Sequence, residues 1–383
     1  SSLLPYSRQI VSEEDISAVT EVLASDWLTT GPKIEEFEKS FASFVDAKEA
    51  VAVSNGTAAL HAGMYALNIS KGDEVIVPTM TFAGTANAVL FQEGTPVFVD
   101  SDPETLLIDP SKVESAITKN TKAIVAVDYA GHSCDYDVLK IIAEKHQLPL
   151  LADACHALGG SFKGKSVGSL ADLSTFSFHP VKPITTGEGG MITTDDAGLA
   201  QKMRQFRNHC ITTDHRERQE QGSWFYEQVD LGYNYRLTDL QCALGQTQLK
   251  NVPERTKSRQ AIAAKYDQAF AKLNAVQPLS VSDDVSHAYH LYVIQLKLDQ
   301  LTADRSQIFK ALRAENIGVN VHYIPVHLHP FDREELKTAP GLCPEAEKAY
   351  ERIISLPIFA GMDDQDVSDV IEAVTKVCQA YAV

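Results

Sequence analysis

From Ala50 onward, short runs of consecutive apolar residues alternate with longer segments whose apolar residues recur at helical spacing. The runs are Ala50–Val53, Val75–Val77, Val97–Val99, Ala123–Val127, Leu148–Ala152 and Thr175–Phe178, and the helical patterns between them include Ala58–Leu67, Ala83–Leu90 and Val138–His146. A run without polar alternation predicts a strand buried on both faces, and helical crossovers between such strands predict a mostly parallel sheet covered on both sides. Ahead of this block, residues 1–10 read as an arm with Tyr6 as its one large aromatic. Ser12-Glu-Glu-Asp15 has the form of a capping box opening a helix with Ile16, Val19 and Leu23 on one face. A turn over Asp26–Pro32 leads to a second amphipathic helix marked by Ile34, Phe37, Phe41 and Phe44.

After Leu249 the pattern changes. A long helical stretch, Glu254–Leu273, precedes a strand, Tyr289–Leu296; a helix at Ile308–Glu315 is stopped by Gly318 and followed by a strand, Val319–Tyr323. Val367, Val370, Ile371, Val374 and Val377 then mark a last helix. The expected organisation is an arm and first helix over 1–30, a large α/β domain over 31–250 and a smaller α+β domain over 251–383. Thr212–Asp230, rich in charge and carrying Trp224, Phe225 and Tyr226, reads as an excursion outside the core. The chain shows neither internal repeats nor low-complexity segments.

Composition narrows the classes. The 383 residues suffice for two cores, and a formal charge of −17 argues against general binding to nucleic acid or anionic membranes. No apolar run is long enough to span a bilayer. The six cysteines are scattered without a C-x-x-C pair, so they read as buried thiols in a reducing compartment, the cytoplasm by default, rather than as disulfides or a zinc site. No metal centre is expected.

Four places could carry chemistry. Lys182 stands between Pro180 and Pro183 just after a buried strand, where proline limits the backbone and presents the amine; it is either a turn lysine or the Schiff-base lysine of a carbonyl cofactor, pyridoxal phosphate (PLP). Asp153 and His156 lie past the carboxyl end of another strand, the edge where open α/β sheets bind ligands; Asp153 could pair with a pyridine nitrogen or cap a turn. Ser54-Asn-Gly56-Thr57 joins a strand to a helix and suits a phosphate, or a plain N-cap. Phe82 could stack on a planar ring or belong to the core, and Gly232-Tyr-Asn234-Tyr-Arg236 could contact an anion or simply enter a helix. The Ser54–Ala59 stretch fits neither G-x-G-x-x-G nor G-x-x-x-x-G-K-[ST], which disfavours a dinucleotide or a nucleoside triphosphate held by a P-loop there.

Together these blocks resemble the DegT/DnrJ/EryC1/StrS family of nucleotide-sugar aminotransferases within the fold-type I PLP enzymes. The resemblance spans essentially the whole chain and rests on TTGP (29–32), SNGTAAL (54–60), GDEVIVPTMTFAGTANAV (72–89), DACHALGG (153–160), SFHPVKPITTGEGG (177–190) and GYNYRLTDLQCALGQTQL (232–249). Within the family, VAVDYAG (125–131), WFYEQVDLGYNYR (224–236), AYHLYVIQL (288–296) and GVNVHYIPVHLHPF (318–331) look most like the pseudaminic-acid branch.

The resemblance implies an aspartate aminotransferase-like fold with a seven-stranded, mostly parallel sheet. It implies a catalytic Lys182 in Schiff-base linkage to PLP, with pyridoxamine phosphate (PMP) as the alternate form, Asp153 on the ring nitrogen, His156 near the ring oxygen and Phe82 stacked on the ring. Gly56, Thr57 and Ser177 would bind the phosphate, joined by Asn234 of the partner subunit in a homodimer. Tyr6, Asp26, Trp27, Thr29, Asn320, His322 and Tyr323 map onto segments lining the sugar-nucleotide site. The implied reaction carries the amino group of L-glutamate to C4 of UDP-2-acetamido-2,6-dideoxy-β-L-arabino-hexos-4-ulose, with UDP-4-keto-arabinose and GDP-4-keto-6-deoxymannose as alternative acceptors. A sugar 3-dehydrase of this family would carry His in place of Lys182, and a non-catalytic PLP-binding regulator would need a DNA-binding module for which the chain has no spare domain or basic patch.

Overall fold

The computed structural model describes residues 3–213 and 215–383. Two helices, α1 (Glu13–Leu23) and α2 (Pro32–Phe44), precede the first strand, β1 (Glu49–Val53). There follow α3 (Gly56–Ala66), β2 (Glu74–Pro78), α4 (Ala83–Phe91), β3 (Thr95–Val99), α5 (Pro110–Ala116), β4 (Thr121–Val127), α6 (Tyr136–Lys145) and β5 (Leu150–Asp153). A short hairpin, β6 (Ser161–Phe162) and β7 (Lys165–Ser166), leads into β8 (Leu173–Ser177), β9 (Gly190–Thr194), α7 (Ala197–Phe206), α8 (His215–Glu220), α9 (Asp239–Lys250) and α10 (Val252–Phe270). The remainder is β10 (Val276–Pro278), β11 (Val285–Ser286), β12 (Tyr292–Leu296), α11 (Arg305–Ala314), α12 (Pro330–Glu335), α13 (Pro344–Tyr350), β13 (Ile353–Leu356) and α14 (Asp364–Ala380).

The central sheet has seven strands in the order β1-β9-β8-β5-β4-β2-β3. The expected mostly parallel sheet is present: β8, β5, β4, β2 and β3 run parallel, and β9 alone runs against both of its neighbours. Successive residues serve opposite faces, as strand geometry requires. Ala50, Ala52, Ile76, Ile124, Ala126 and Phe176 face a core shared with Phe37 and Phe41 of α2, while Val51, Val53, Val75, Val77, Val125 and Leu151 face α3 and α7. A separate core lies between the three-stranded antiparallel sheet β10-β12-β13 and helices α10, α11 and α14. Asn251 ends α9 and opens α10.

Three local expectations change. Ser12 and Asp15 do form the capping box of α1, yet the inward residues are Asp15 and Val22, while Ile16 and Leu23 are exposed. The reason is polar: Gln248 of α9 and the backbone of Ser12 donate to the Asp15 carboxylate, which turns that side of the helix inward. The strand expected at Tyr289–Leu296 begins only at Tyr292, because Tyr289 is left-handed (φ 48°). Val319–Tyr323 is not a strand. Only Asn320 pairs, with Ser355, after which side chains satisfy the backbone: Tyr129 donates to the His322 carbonyl, and the Tyr323 N–H meets Met80 Sδ at 3.5 Å.

Residues 3–10 run as an arm across both cores. Leu4 bridges Ile317, the Tyr6 carbonyl accepts from Ile358 N–H at 3.1 Å, and Gln248 Nε2 donates to the Ile10 carbonyl at 2.8 Å.

Candidate active site

The carboxyl ends of β1, β2, β4, β5 and β8 share one edge of the large sheet, so the loops after them converge there. The loops after β1, β2, β5 and β8 each bring one or more of the residues singled out above, and the loop after β4 brings Tyr129 and Ala130. At this edge a ligand meets loop backbone and helix N-termini rather than closed sheet.

The lysine turn is anchored behind the amine. Phe178 is fully buried, 5.6 Å between ring centres from both Phe37 and Phe41. Its N–H donates to Gly189 O (2.8 Å), and its carbonyl accepts from Thr186 N (3.0 Å) and Thr185 Oγ1 (3.1 Å), which closes the TTGEGG return onto the strand end. Lys182 N donates to His179 O at 2.8 Å, and Ser7 Oγ of the arm donates to Val181 O at 3.1 Å. Lys182 itself is half-buried. Desolvation lowers its pKa below the ordinary lysine value, against the opposing pull of Cys155 and Asp153. Such an amine is more readily neutral, hence nucleophilic, than a surface lysine.

Asp153 ends β5 and is buried. One carboxylate oxygen accepts from Thr85 Oγ1 at 2.7 Å and the other from Cys155 N–H at 3.3 Å. Because Thr85 spends its hydrogen on Asp153, the Thr81 hydroxyl, 2.8 Å away, must be the donor in their contact. This Thr81–Thr85–Asp153 chain was missed in the sequence. Its signal is two threonines four residues apart, straddling Phe82 at a helix start.

Asn55 is the N-cap of α3, its side chain accepting from Ala58 N–H at 2.8 Å. The plain-cap reading is thus correct for Asn55, and it leaves the Gly56 and Thr57 N–H groups at the helix terminus available to an anion. The floor is tight: a Cβ on Gly56 would lie 2.8 Å from Ser177 Cβ, so glycine is required for this approach. Phe82 caps α4 and is 60% exposed, which excludes the core reading and leaves a free ring face above the edge. An amine, a buried carboxylate, a helix terminus on a glycine floor and an open aromatic face are what a phosphate-bearing pyridine aldehyde requires, so the residues present fit PLP.

His156 is buried beside this group. Ala130 N–H donates to its Nδ1 (3.2 Å), and Nε2 lies 3.0 Å from Tyr323 Oη. Desolvation, then the neighbouring Lys182 and His322, drive its pKa well below the usual histidine value, so the ring is neutral. His322 is likewise pushed down to about 4 by burial and contacts Ser355 Oγ (2.8 Å), Asn320 Nδ2 (3.4 Å) and the ring of Tyr6 (5.3 Å). Tyr6, Asn320, His322, Tyr323 and His156 thus form one contiguous wall. Asp26, Trp27 and Thr29 lie elsewhere, at the start of α9, where Thr29 bridges Thr238. Asn234 is exposed; its neighbour Tyr235 accepts Ser54 N–H at 2.8 Å, and Asn208 bridges Asn234 itself.

Comparison with known proteins gives a consistent answer. A model of the DegT/DnrJ/EryC1/StrS aminotransferase family matches residues 9–375. The chain is 45% identical over 376 residues to the spore coat polysaccharide biosynthesis protein SpsC of Bacillus subtilis, covering 98% of this chain and 97% of SpsC. It superposes with a TM-score of 0.93 and 32% identity on Spr1654 from Streptococcus pneumoniae, assigned as a sugar aminotransferase and solved in a PMP form, over 98% of this chain and 99% of that one. Helicobacter pylori PseC, an aminotransferase involved in the biosynthesis of pseudoaminic acid, superposes at 0.92 with 33% identity over 99% of this chain and all of PseC (100%).

Proposed function

Because the chain belongs to the DegT/DnrJ/EryC1/StrS aminotransferase family and is a PLP-dependent sugar aminotransferase, we propose that it moves the amino group of L-glutamate to the C4 keto group of a nucleotide-linked 4-keto-6-deoxy sugar. The acceptor we favour is UDP-2-acetamido-2,6-dideoxy-β-L-arabino-hexos-4-ulose, consistent with the likeness to PseC over the full chain. The observation that carries the reading is the half-buried, desolvated Lys182 amine beside Asp153 at the sheet edge.

When bound, PLP supplies an electron sink that makes the donor's α-proton removable. Lys182 Nζ would hold the cofactor aldehyde until the amine of glutamate displaces it, and the freed amine would then carry the proton from Cα of glutamate and, in the return half, deliver one to C4 of the sugar. Asp153, steadied by Thr85 and the Cys155 N–H, offers a fixed negative charge to the pyridine nitrogen. Gly56, Thr57 and Ser177 would hold the phosphate, joined by Asn234 of the partner subunit, and Phe82 would orient the ring. Tyr6, Asn320, His322 and Tyr323 face the sugar nucleotide. Asp26, Trp27 and Thr29, which join the start of α9, serve the second site of a homodimer. The aromatic excursion that a single chain leaves uncovered supports this sharing.

A second reading has its own support. SpsC, at 45% identity, is a spore coat polysaccharide biosynthesis protein, which favours another nucleotide-linked 4-keto sugar as acceptor. A panel of UDP- and GDP-linked 4-keto sugars, with glutamate as donor and 2-oxoglutarate release as readout, separates the two. Borohydride reduction should fix the cofactor on Lys182, and label on any other lysine sinks the assignment.

A further inference from the structure

The hydrogen positions around His156 are over-determined. Ala130 N–H points at Nδ1, so that nitrogen must carry the lone pair. The turn supplying this N–H is clamped from behind: Leu291 N donates to Ala130 O (3.1 Å) and Ala288 N to Gly131 O (2.9 Å). Gly131, at φ 105°, approaches so closely that a Cβ there would lie 3.0 Å from His156 O. The rings facing His156 are His290 (4.4 Å), Tyr323 (6.0 Å) and Tyr129 (6.3 Å), and Lys182 and His322 are the titratable neighbours acting on it. No carboxylate is among them, so nothing stabilises a charged imidazole. The single proton of a neutral ring with a bare Nδ1 is on Nε2, 3.0 Å from Tyr323 Oη.

That proton fixes the next group. Nε2–H donates to Tyr323, so the tyrosine hydroxyl is the acceptor and its own hydrogen must point elsewhere. Burial holds the phenol well above its ordinary pKa, so the hydrogen is retained. Among the described residues the only hydrogen-bond partner of Tyr323 Oη is His156. The Tyr323 ring lies 6.2 Å from the ring of Phe82, whose exposed face borders the cleft.

We propose that Tyr323 donates its hydroxyl hydrogen to an oxygen of the bound cofactor or keto-sugar, and that His156 is a positioning residue, set by Ala130 N–H, that turns this hydrogen into the cleft. The inference rests on the aminotransferase reading above and revises it: with Nε2–H committed to Tyr323, His156 reaches the ligand through the tyrosine.

Nitrogen-15 NMR of the full-length, cofactor-loaded protein labelled at histidine tests the first link, His156 being identified by its loss in His156→Gln. The expected result is a bare Nδ1 and a protonated Nε2 from about pH 6 to 8; a proton on Nδ1, or a charged ring, overturns the proposal. Tyr323→Phe tests the second link. If the acceptor is the cofactor's ring oxygen, its absorption spectrum shifts in the resting protein. If the acceptor is the sugar oxygen, the spectrum and the glutamate half-reaction hold while single turnover with keto-sugar falls about tenfold or more. A variant that changes neither overturns the proposal.

His156→Leu should cost as much as Tyr323→Phe, the double variant no more than either, and His156→Gln, whose amide can accept from Ala130 and donate to Tyr323, should recover most of the loss. Additive losses at unchanged melting temperature overturn the positioning role. The NMR and spectral arms need no keto-sugar, so failure confined to turnover would strike the substrate reading instead.

Discussion

Two aromatic groups in this chain have opposite surroundings. Around His156, the rings of Tyr129, His290 and Tyr323 are packed together, and His156, Tyr129 and Tyr323 each make a specified hydrogen bond. On the excursion after α8, Trp224 is 85% exposed, with Phe225, Tyr226, Val229 and Leu231 also in the open. The first group has a geometry set within one chain, because buried polar atoms accept only a few arrangements. The second has Arg218 over the Tyr226 ring and otherwise leaves its apolar area largely open, a surface suited to another partner. Chemistry that must be ready before substrate arrives belongs to the first kind of place, and assembly to the second.

Four experiments press on this contrast, in order of expected size. Lys182→Ala should cut turnover by roughly 10³-fold or more and abolish borohydride labelling, since it removes both the nucleophile and the proton carrier; retained labelling would place the cofactor elsewhere. Phe178→Ala should lower unfolding free energy by about 3–5 kcal/mol in denaturant titration, because it empties the fully buried anchor of the lysine turn; a surface-sized effect would show that the turn is not held from behind. Thr85→Val should reduce turnover by about tenfold, leaving one Asp153 oxygen without its donor. Trp224→Ser with Phe225→Ser should change the monomer's stability by no more than about 0.5 kcal/mol while weakening self-association in sedimentation; a large loss of fold stability would mean these rings pack within their own chain.

The lysine also has a pH signature. Desolvation penalises its charged form, so the neutral amine becomes populated at lower pH than for a free lysine. The rate at which apoprotein captures PLP should therefore rise with pH and level off below the ordinary lysine value of about 10.4. A plateau reached only at that value would show that the amine is solvated.

Much of this was legible from order along the chain. Apolar runs mark the parallel strands because burial on both faces leaves no polar alternation, and Asp153 and Lys182 stand out because they follow such runs directly. β9 was hidden: Gly190–Thr194 returns antiparallel from the lysine turn, and its threonines do not read as a buried run. The inward face of α1 was misread because a carboxylate satisfied from α9 is the buried group, and hydrophobic spacing cannot report a partner more than two hundred residues away (232 between Asp15 and Thr247). Phe82 could be placed at a strand end, but whether its ring was covered depended on tertiary contacts. The link from Ala130 through His156 to Tyr323 joins loops after two different strands to a segment more than 160 residues further along the chain (167 between His156 and Tyr323), and no local pattern encodes it.

The arm has a consequence for the order in which the molecule is made. Its partners are remote in sequence: Ser7 meets Val181 across 174 residues and Ile10 meets Gln248 across 238, while Leu4 waits for Ile317. Contacts closing loops of that size form late, after the local helices and strand crossovers. During synthesis the large sheet can therefore assemble while the arm hangs free, and the arm can lock only once the second core has emerged. The strap that braces the lysine turn is translated before every partner it binds and docks after them.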